Sequence, residues 1–214
     1  MKIALIGATG FVGSAVLNEA LNRGHEVTAM ARNTGKITAQ SEKLTAVEAD
    51  ADDTATLAEI LKGHDAVIST YNAGWTNPNY YDDFIKASES IQQAVKLSGV
   101  KRLLVVGGAG SLEIAPGVQL VDTPEFPAEY KVAAGAARDY LNIIKKENDL
   151  DWTFLSPAIN LHPGKRTGVF RLGTDKPVFD NEGKSEIAVE DLAVAIIDEL
   201  EQNRFIKKRF TLGY

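Results

Sequence analysis

Short apolar runs alternate along the chain with longer stretches whose apolar residues recur every three or four positions. KIALI (2–6), EVTAMA (26–31), KLTAVEA (43–49), DAVISTY (65–71), RLLVVGG (102–108) and DWTFLSP (151–157) read as strands. RLLVVGG is read as apolar throughout, and so as covered on both faces. Between these runs lie helix patterns. In FVGSAVLNEALNRG (11–24), Val12, Ala15, Val16, Glu19, Ala20 and Arg23 share one helical spacing, with Gly24 as a stop. TATLAEILKG (54–63) offers Thr54 as a cap and Gly63 past its end. A helix over about 80–98 carries Phe84, Ala87, Ile91, Ala94 and Val95 inward. Another over 125–148 carries Phe126, Tyr130, Ala133, Ala137, Leu141 and Ile144. After Pro157 the rhythm fades into a Gly-, Pro- and Asp-rich segment. A helix over 189–202 and a strand KRFTLG then close the chain. Strand and helix in repeated alternation predict an α/β fold with a doubly wound parallel sheet.

Composition narrows the function classes. At 214 residues, 44% hydrophobic and 24% charged, the chain reads as one soluble globular domain. It has no apolar run of 18 residues, and IALI is too short for a signal peptide, so neither a membrane span nor export is expected. No cysteine is present, which rules out disulfides, thiolate metal sites and a cysteine nucleophile, and fits a cytoplasmic protein. A net charge of −6 argues against nucleic acid as a partner. The basic cluster Lys207, Lys208 and Arg209 reads as a solvated element end. No grouping of His, Asp and Glu has metal-ligand spacing, so no metal is expected. His25 and His64, at strand entries, read as structural.

The stretch IGATGFVGS (6–14) is where chemistry enters. It follows a strand and opens a helix, and Gly7, Gly10 and Gly13 stand three apart. Gly7 suits a tight turn, and Gly13 suits close packing of helix on strand. Gly10 lets backbone approach a pyrophosphate held at the helix N-terminus.

The spacing Gly-x-x-Gly-x-x-Gly resembles the short-chain dehydrogenase/reductase superfamily in its extended and atypical branches. The likeness runs the length of the chain, through GATGFVG, ARN, VEADADD, STYNAG, VVGGAGSLE, DWTFLSPA and IAVEDLAVAIIDELE. VVGGAGSLEIAPG, DTPEFPAEYK and HPGKRTG are similar to one subgroup, the small NmrA-like oxidoreductases described as NADH-flavin reductases. The resemblance implies a Rossmann-like fold with a small C-terminal substrate-side segment. Residues 1–157 would form the cofactor-binding core, 158–188 the substrate side and 189–214 a closing helix and strand. It further implies that Thr9, Phe11 and Val12 flank the glycines at the cofactor. Asp50 and Ala51 would lie beside adenine, or serve as ordinary turn residues. Ser69, Thr70 and Tyr71 would run along ribose and pyrophosphate. Gly107, Gly108 and Ala109 would leave room for nicotinamide, and Pro157 and Ala158 would meet its other side.

Strand two ends in Ala31-Arg32-Asn33, with no carboxylate for a ribose and a guanidinium shaped for phosphate. NADP(H) is therefore favoured over NAD(H). Ordinary short-chain dehydrogenases use Tyr-x-x-x-Lys, with the tyrosine as proton donor. Here the residues four places after Tyr71, Tyr80, Tyr81, Tyr130 and Tyr140 are Trp75, Phe84, Ile85, Ala134 and Ile144. Without that pair, hydride transfer to a conjugated small-molecule acceptor, a flavin such as FMN or FAD or a quinone, is the expected chemistry. A non-catalytic NADP(H) sensor is the alternative. A nucleotide-sugar epimerase fits less well, since roughly 55 residues follow Pro157. Ser111 is the candidate catalytic donor, and otherwise a loop serine. Trp75, Tyr130 and His162 are candidate substrate contacts, with a core position the competing reading for Tyr130. Either long helix is able to supply a homodimer surface.

Overall fold

The computed structural model describes residues 1–214. The first part comprises β1 (Lys2–Ile6), α1 (Phe11–Asn22), β2 (Glu26–Ala31), β3 (Leu44–Glu48), α2 (Thr54–Leu61), β4 (Ala66–Ser69), α3 (Tyr80–Ser98) and β5 (Arg102–Val106). A small hairpin, β6 (Glu113–Ala115) and β7 (Val118–Gln119), leads into α4 (Ala128–Ile144) and β8 (Asp151–Leu155). β9 (Asn160–His162), β10 (Arg171–Gly173), β11 (Glu186–Ala188), α5 (Val189–Gln202) and β12 (Lys208–Gly213) complete the chain.

Eight strands form one sheet in the order β10-β12-β8-β5-β4-β1-β2-β3. Every pairing in it is parallel except β10 with β12. The chain runs outward from β1 to β3, then returns to place β4 on the other side of β1. Strand order thus reverses between β1 and β4, which puts a crevice beyond their C-terminal ends. β9 and β11 pair separately beside it.

Alternate side chains of each strand feed two cores, as the pleat requires. Ile3 and Leu5 of β1 pack with α1 and α5, whereas Ala4 and Ile6 pack with α2, α3 and α4. Each fully buried Ile or Leu contributes about 1.5–3 kcal/mol. This is the expected doubly wound, Rossmann-like layering.

Several expectations are corrected by the structure. α4 starts at Ala128, not 125, because Pro127 disfavours a helical residue before it and takes the cap position itself. It ends at Ile144 rather than 148. Asp53, not Thr54, caps α2, its carboxylate accepting from the Thr56 amide at 3.1 Å. β4, β5 and β8 stop two residues short of the predicted runs, at Ser69, Val106 and Leu155, which releases the following residues as loops. β5 is not apolar throughout: Arg102 is buried and donates to the Glu199 carboxylate at 2.8 Å and to Thr153 Oγ1 at 2.8 Å. Glu199 also accepts from the Arg204 and Phe205 amides, so this pair fixes the turn that delivers β12. Arg209 is likewise buried rather than solvated, bonded to Asp175 and Ser111.

Candidate functional site

The turn between β1 and α1 is built around absent side chains. Gly7 has φ +83°, and a Cβ there would sit 2.7 Å from the Thr70 carbonyl oxygen. At Gly13 a Cβ would sit 2.1 Å from the Gly7 carbonyl oxygen. Both glycines are therefore required by the protein's own packing. Gly10 is different: the nearest atom to its added Cβ is the Gly7 oxygen, at an ordinary 3.4 Å. Thr70 Oγ1 donates to the Ile6 and Gly7 carbonyls at 2.9 and 3.2 Å, tying the ends of β1 and β4 across the switch point. Gly10 caps α1 with no side-chain bond, and no acid lies in the first turn. The free amides and positive dipole end of α1 are thus left for an anion.

A cleft of about 140 Å³ opens beside this turn. Gly7, Thr9, Gly10, Arg32, Ala51, Thr70 and Tyr71 line it, and Arg32 is its only charged residue. Asp50 stays outside the wall: it is exposed, and its Oδ1 accepts from the Asp52 amide at 3.1 Å. Ser69 lies buried beneath the surface. Burial and the Asp52 charge push the Tyr71 phenol up, so it keeps its proton at neutral pH.

Gly10, Thr70, Tyr71 and Asn72 also border a second cavity of about 970 Å³, so the two form one groove along the strand ends. Phe11, Val12, Gly107, Gly108, Ala109, Pro157 and Ala158 line this part. Gly107 is forced, since a Cβ would lie 2.0 Å from the Phe154 ring. Aromatic rings form one side. Trp75 is 68% exposed, stacks on Tyr80 at 6.1 Å, and meets Tyr130 edge-on at 5.8 Å and 83°. Tyr80 stacks in turn on Phe84 at 5.8 Å. Asn72 Nδ2 donates to the Tyr80 hydroxyl at 3.0 Å. Burial pushes the Tyr80 phenol up to about 12.

Ser111 and His162 sit elsewhere than their roles required, whereas Tyr130 stands on the cavity. Ser111 does not line the cavity. It is 1% exposed, and Arg209 Nη1 donates to its carbonyl at 2.7 Å and to its Oγ at 3.1 Å. It is a structural anchor, not a free donor. His162 does not line the cavity: it is half-exposed, its Nδ1 facing the Pro163 carbonyl at 2.9 Å, while Asn160 and Leu161 before it line the cavity. Tyr130 is 47% exposed at the cavity mouth, which overturns the core reading. Ala134 is buried where a paired lysine would stand. Sequence reasoning missed Asn72, Thr123, Glu125, Phe126 and Ile159, which also line the cavity. Asn72 stands next to Tyr71, and Thr123, Glu125 and Phe126 fall within the stretch DTPEFPAEYK, where Phe126 reads as part of a helical stripe. Ile159 follows Ala158 on the loop after β8.

A family model described as NAD(P)H-binding matches residues 7–203. The chain belongs to this NAD(P)H-binding family. It is 40% identical over 215 residues to the uncharacterized protein YwnB of Bacillus subtilis (strain 168), covering 99% of this chain and 98% of YwnB. A solved structure from Bacteroides thetaiotaomicron, provisionally named an epimerase, is 50% identical with TM-score 0.93, covering 100% of this chain and 96% of that one. A solved structure from Streptococcus pneumoniae TIGR4, provisionally named an NADH-flavin reductase, is 38% identical with TM-score 0.86, covering 100% and 99%. These likenesses agree with the NmrA-like, extended short-chain dehydrogenase/reductase resemblance of the sequence. The residues fit the family's cofactor: the glycine cradle excludes any Cβ at Gly7 and Gly13, yet leaves Gly10 bare on the groove. No helix is long and apolar enough to cross a membrane.

Proposed function

We propose that the chain is an NADPH-dependent reductase that delivers a hydride to a flat conjugated acceptor of the flavin or quinone class. The observation carrying this reading is the continuous groove, with a glycine cradle and one cation at one end and an aromatic-walled cavity at the other. The α1 amides of Phe11 to Gly13, with Thr9, would hold the diphosphate. Arg32 would fork onto the 2′-phosphate. Ala51 and Tyr71 flank the adenosine cleft, and Asp50 takes no part. Gly107, Gly108 and Ala109 leave space for the nicotinamide, with Pro157 and Ala158 on its other side. A reduced nicotinamide held there would supply a hydride, which with one solvent proton would convert the acceptor to its dihydro form and leave oxidised dinucleotide. Trp75, Tyr80 and Tyr130 orient a flat ring and exclude water. A conjugated acceptor spreads the incoming charge, so it needs no Tyr-x-x-x-Lys proton donor.

Calorimetry with both reduced dinucleotides tests the cofactor assignment. NADPH should bind about ten- to hundredfold more tightly than NADH, and Arg32→Ala should erase the difference. Equal affinities in the unaltered protein would sink the phosphate assignment. Oxidation of bound NADPH by a flavin or quinone, followed at the nicotinamide absorbance, tests the reaction. Binding without oxidation by any acceptor favours a redox sensor instead.

A further inference from the structure

Among the residues lining the large cavity, one alone is charged, and it is acidic: Glu125. No lysine, arginine or histidine faces that end. The groove's cation, Arg32, lines the opposite cleft. Arginines near the cavity's surroundings are already engaged. Arg138 pairs with Asp122 and Asp139, and Arg209 is buried on Asp175 and Ser111. α4 does not serve as an anion trap either. Glu129 occupies its first turn, and the Tyr130 amide already donates to the Pro127 carbonyl at 3.1 Å. Among the α-helices that start on the groove, α1 alone is uncapped and acid-free, and in the reductase reading the dinucleotide diphosphate takes its amides.

Resting on the reductase reading, we infer that the acceptor cavity selects an uncharged flat ring and discriminates against phosphorylated flavins, with Glu125 as the discriminating residue. A phosphate tail entering this cavity would meet mostly apolar walls, a few neutral hydroxyl and amide groups and a carboxylate, with no cationic fork to replace its water. Riboflavin carries the same isoalloxazine ring as FMN without the phosphate. A neutral naphthoquinone carries no charge at all. Both gain the same aromatic stacking and escape the repulsion. Glu125 is exposed, so its replacement tests charge without disturbing the fold.

The experiment uses the whole chain saturated with NADP+ and follows quenching of flavin fluorescence as riboflavin or FMN is titrated. Riboflavin should bind at least tenfold more tightly than FMN. Raising the salt concentration should narrow the gap, because the Glu125 charge is screened. Glu125→Gln should narrow it several-fold, and Glu125→Lys should close or reverse it. FMN binding as tightly as riboflavin overturns the inference, whether or not NADPH is oxidised. So does failure of both riboflavin and 2-methyl-1,4-naphthoquinone to bind. So does a gap unmoved by Glu125→Lys. Preferential riboflavin binding with no oxidation of NADPH leaves the charge selection standing and removes the reductase reading.

Discussion

At the β1–α1 end of the groove the surface offered to a ligand is backbone. Amides, glycines and a threonine hydroxyl locked onto two carbonyls make it, and Arg32 is its one charged side chain. At the other end the surface is side chains: Trp75 and Phe126 from the β4–α3 and β7–α4 connections, and Tyr80 and Tyr130 from the first turns of α3 and α4. A backbone site has no spare volume, so it depends on the absence of a Cβ. A side-chain site has volume to spare, so it depends on which rings and charges project into it. The two ends should therefore fail in different ways.

The largest expected difference is at Gly13. Gly13→Ala places a Cβ 2.1 Å from the Gly7 oxygen. It should lower stability by about 3 kcal/mol in urea unfolding and abolish dinucleotide binding. A variant within about 0.5 kcal/mol of the parent would show that the turn is not locked as described. Gly10→Ala sharpens the point. With 3.4 Å of clearance inside the protein, it should change stability by less than about 1 kcal/mol. NADPH affinity should nevertheless fall about tenfold, or about 1.4 kcal/mol by calorimetry. Equal affinity would mean that no ligand backs onto Gly10.

At the aromatic end the effects shift from stability to the acceptor. Trp75→Ala removes a ring that is 68% exposed. The unfolding midpoint should hold, while KM for a flat acceptor rises about three- to tenfold, the worth of one stacking contact. An NADPH affinity that falls in step would tie Trp75 to the wrong end of the groove.

Tyr80 gives the aromatic end a pH signature. Its phenol is pushed by burial from 10.0 to about 12. The unfolded chain therefore releases this proton first, and stability is fully present below pH 10 and lost as pH rises toward 12. In unfolding measurements at about pH 11, Tyr80→Phe should escape about 1 kcal/mol of that loss. A parallel decline in both proteins would show that the ring is not desolvated.

Much of the fold was legible in the chain, and for local reasons. α5 was read at its observed bounds, Val189–Gln202, because its apolar repeat is dense and unbroken. The glycine turn was legible because strand, turn and helix are contiguous in sequence. Errors gathered where a local pattern competed with something distant. Tyr130 keeps the spacing of the α4 stripe, yet the ring it meets edge-on is the exposed Trp75 rather than a core residue, so it stands at the cavity mouth. Phe126 shares the spacing but precedes the helix. The basic triplet near β12 looked solvated, but Arg209 points inward.

The order of the main parallel strands and the helices, the tight turn at Gly7 and the lack of a Tyr-x-x-x-Lys pair were determined by the sequence alone, whereas the β6–β7 hairpin and β9 to β11 were not. Periodicity, backbone freedom and residue identity act within a few positions. Tertiary structure alone decided that Ser111 anchors an arginine 98 positions away and that Glu125 stands as the single charge of the large cavity. Such relations depend on which loops converge on one sheet edge, and no spacing along the chain encodes that distance.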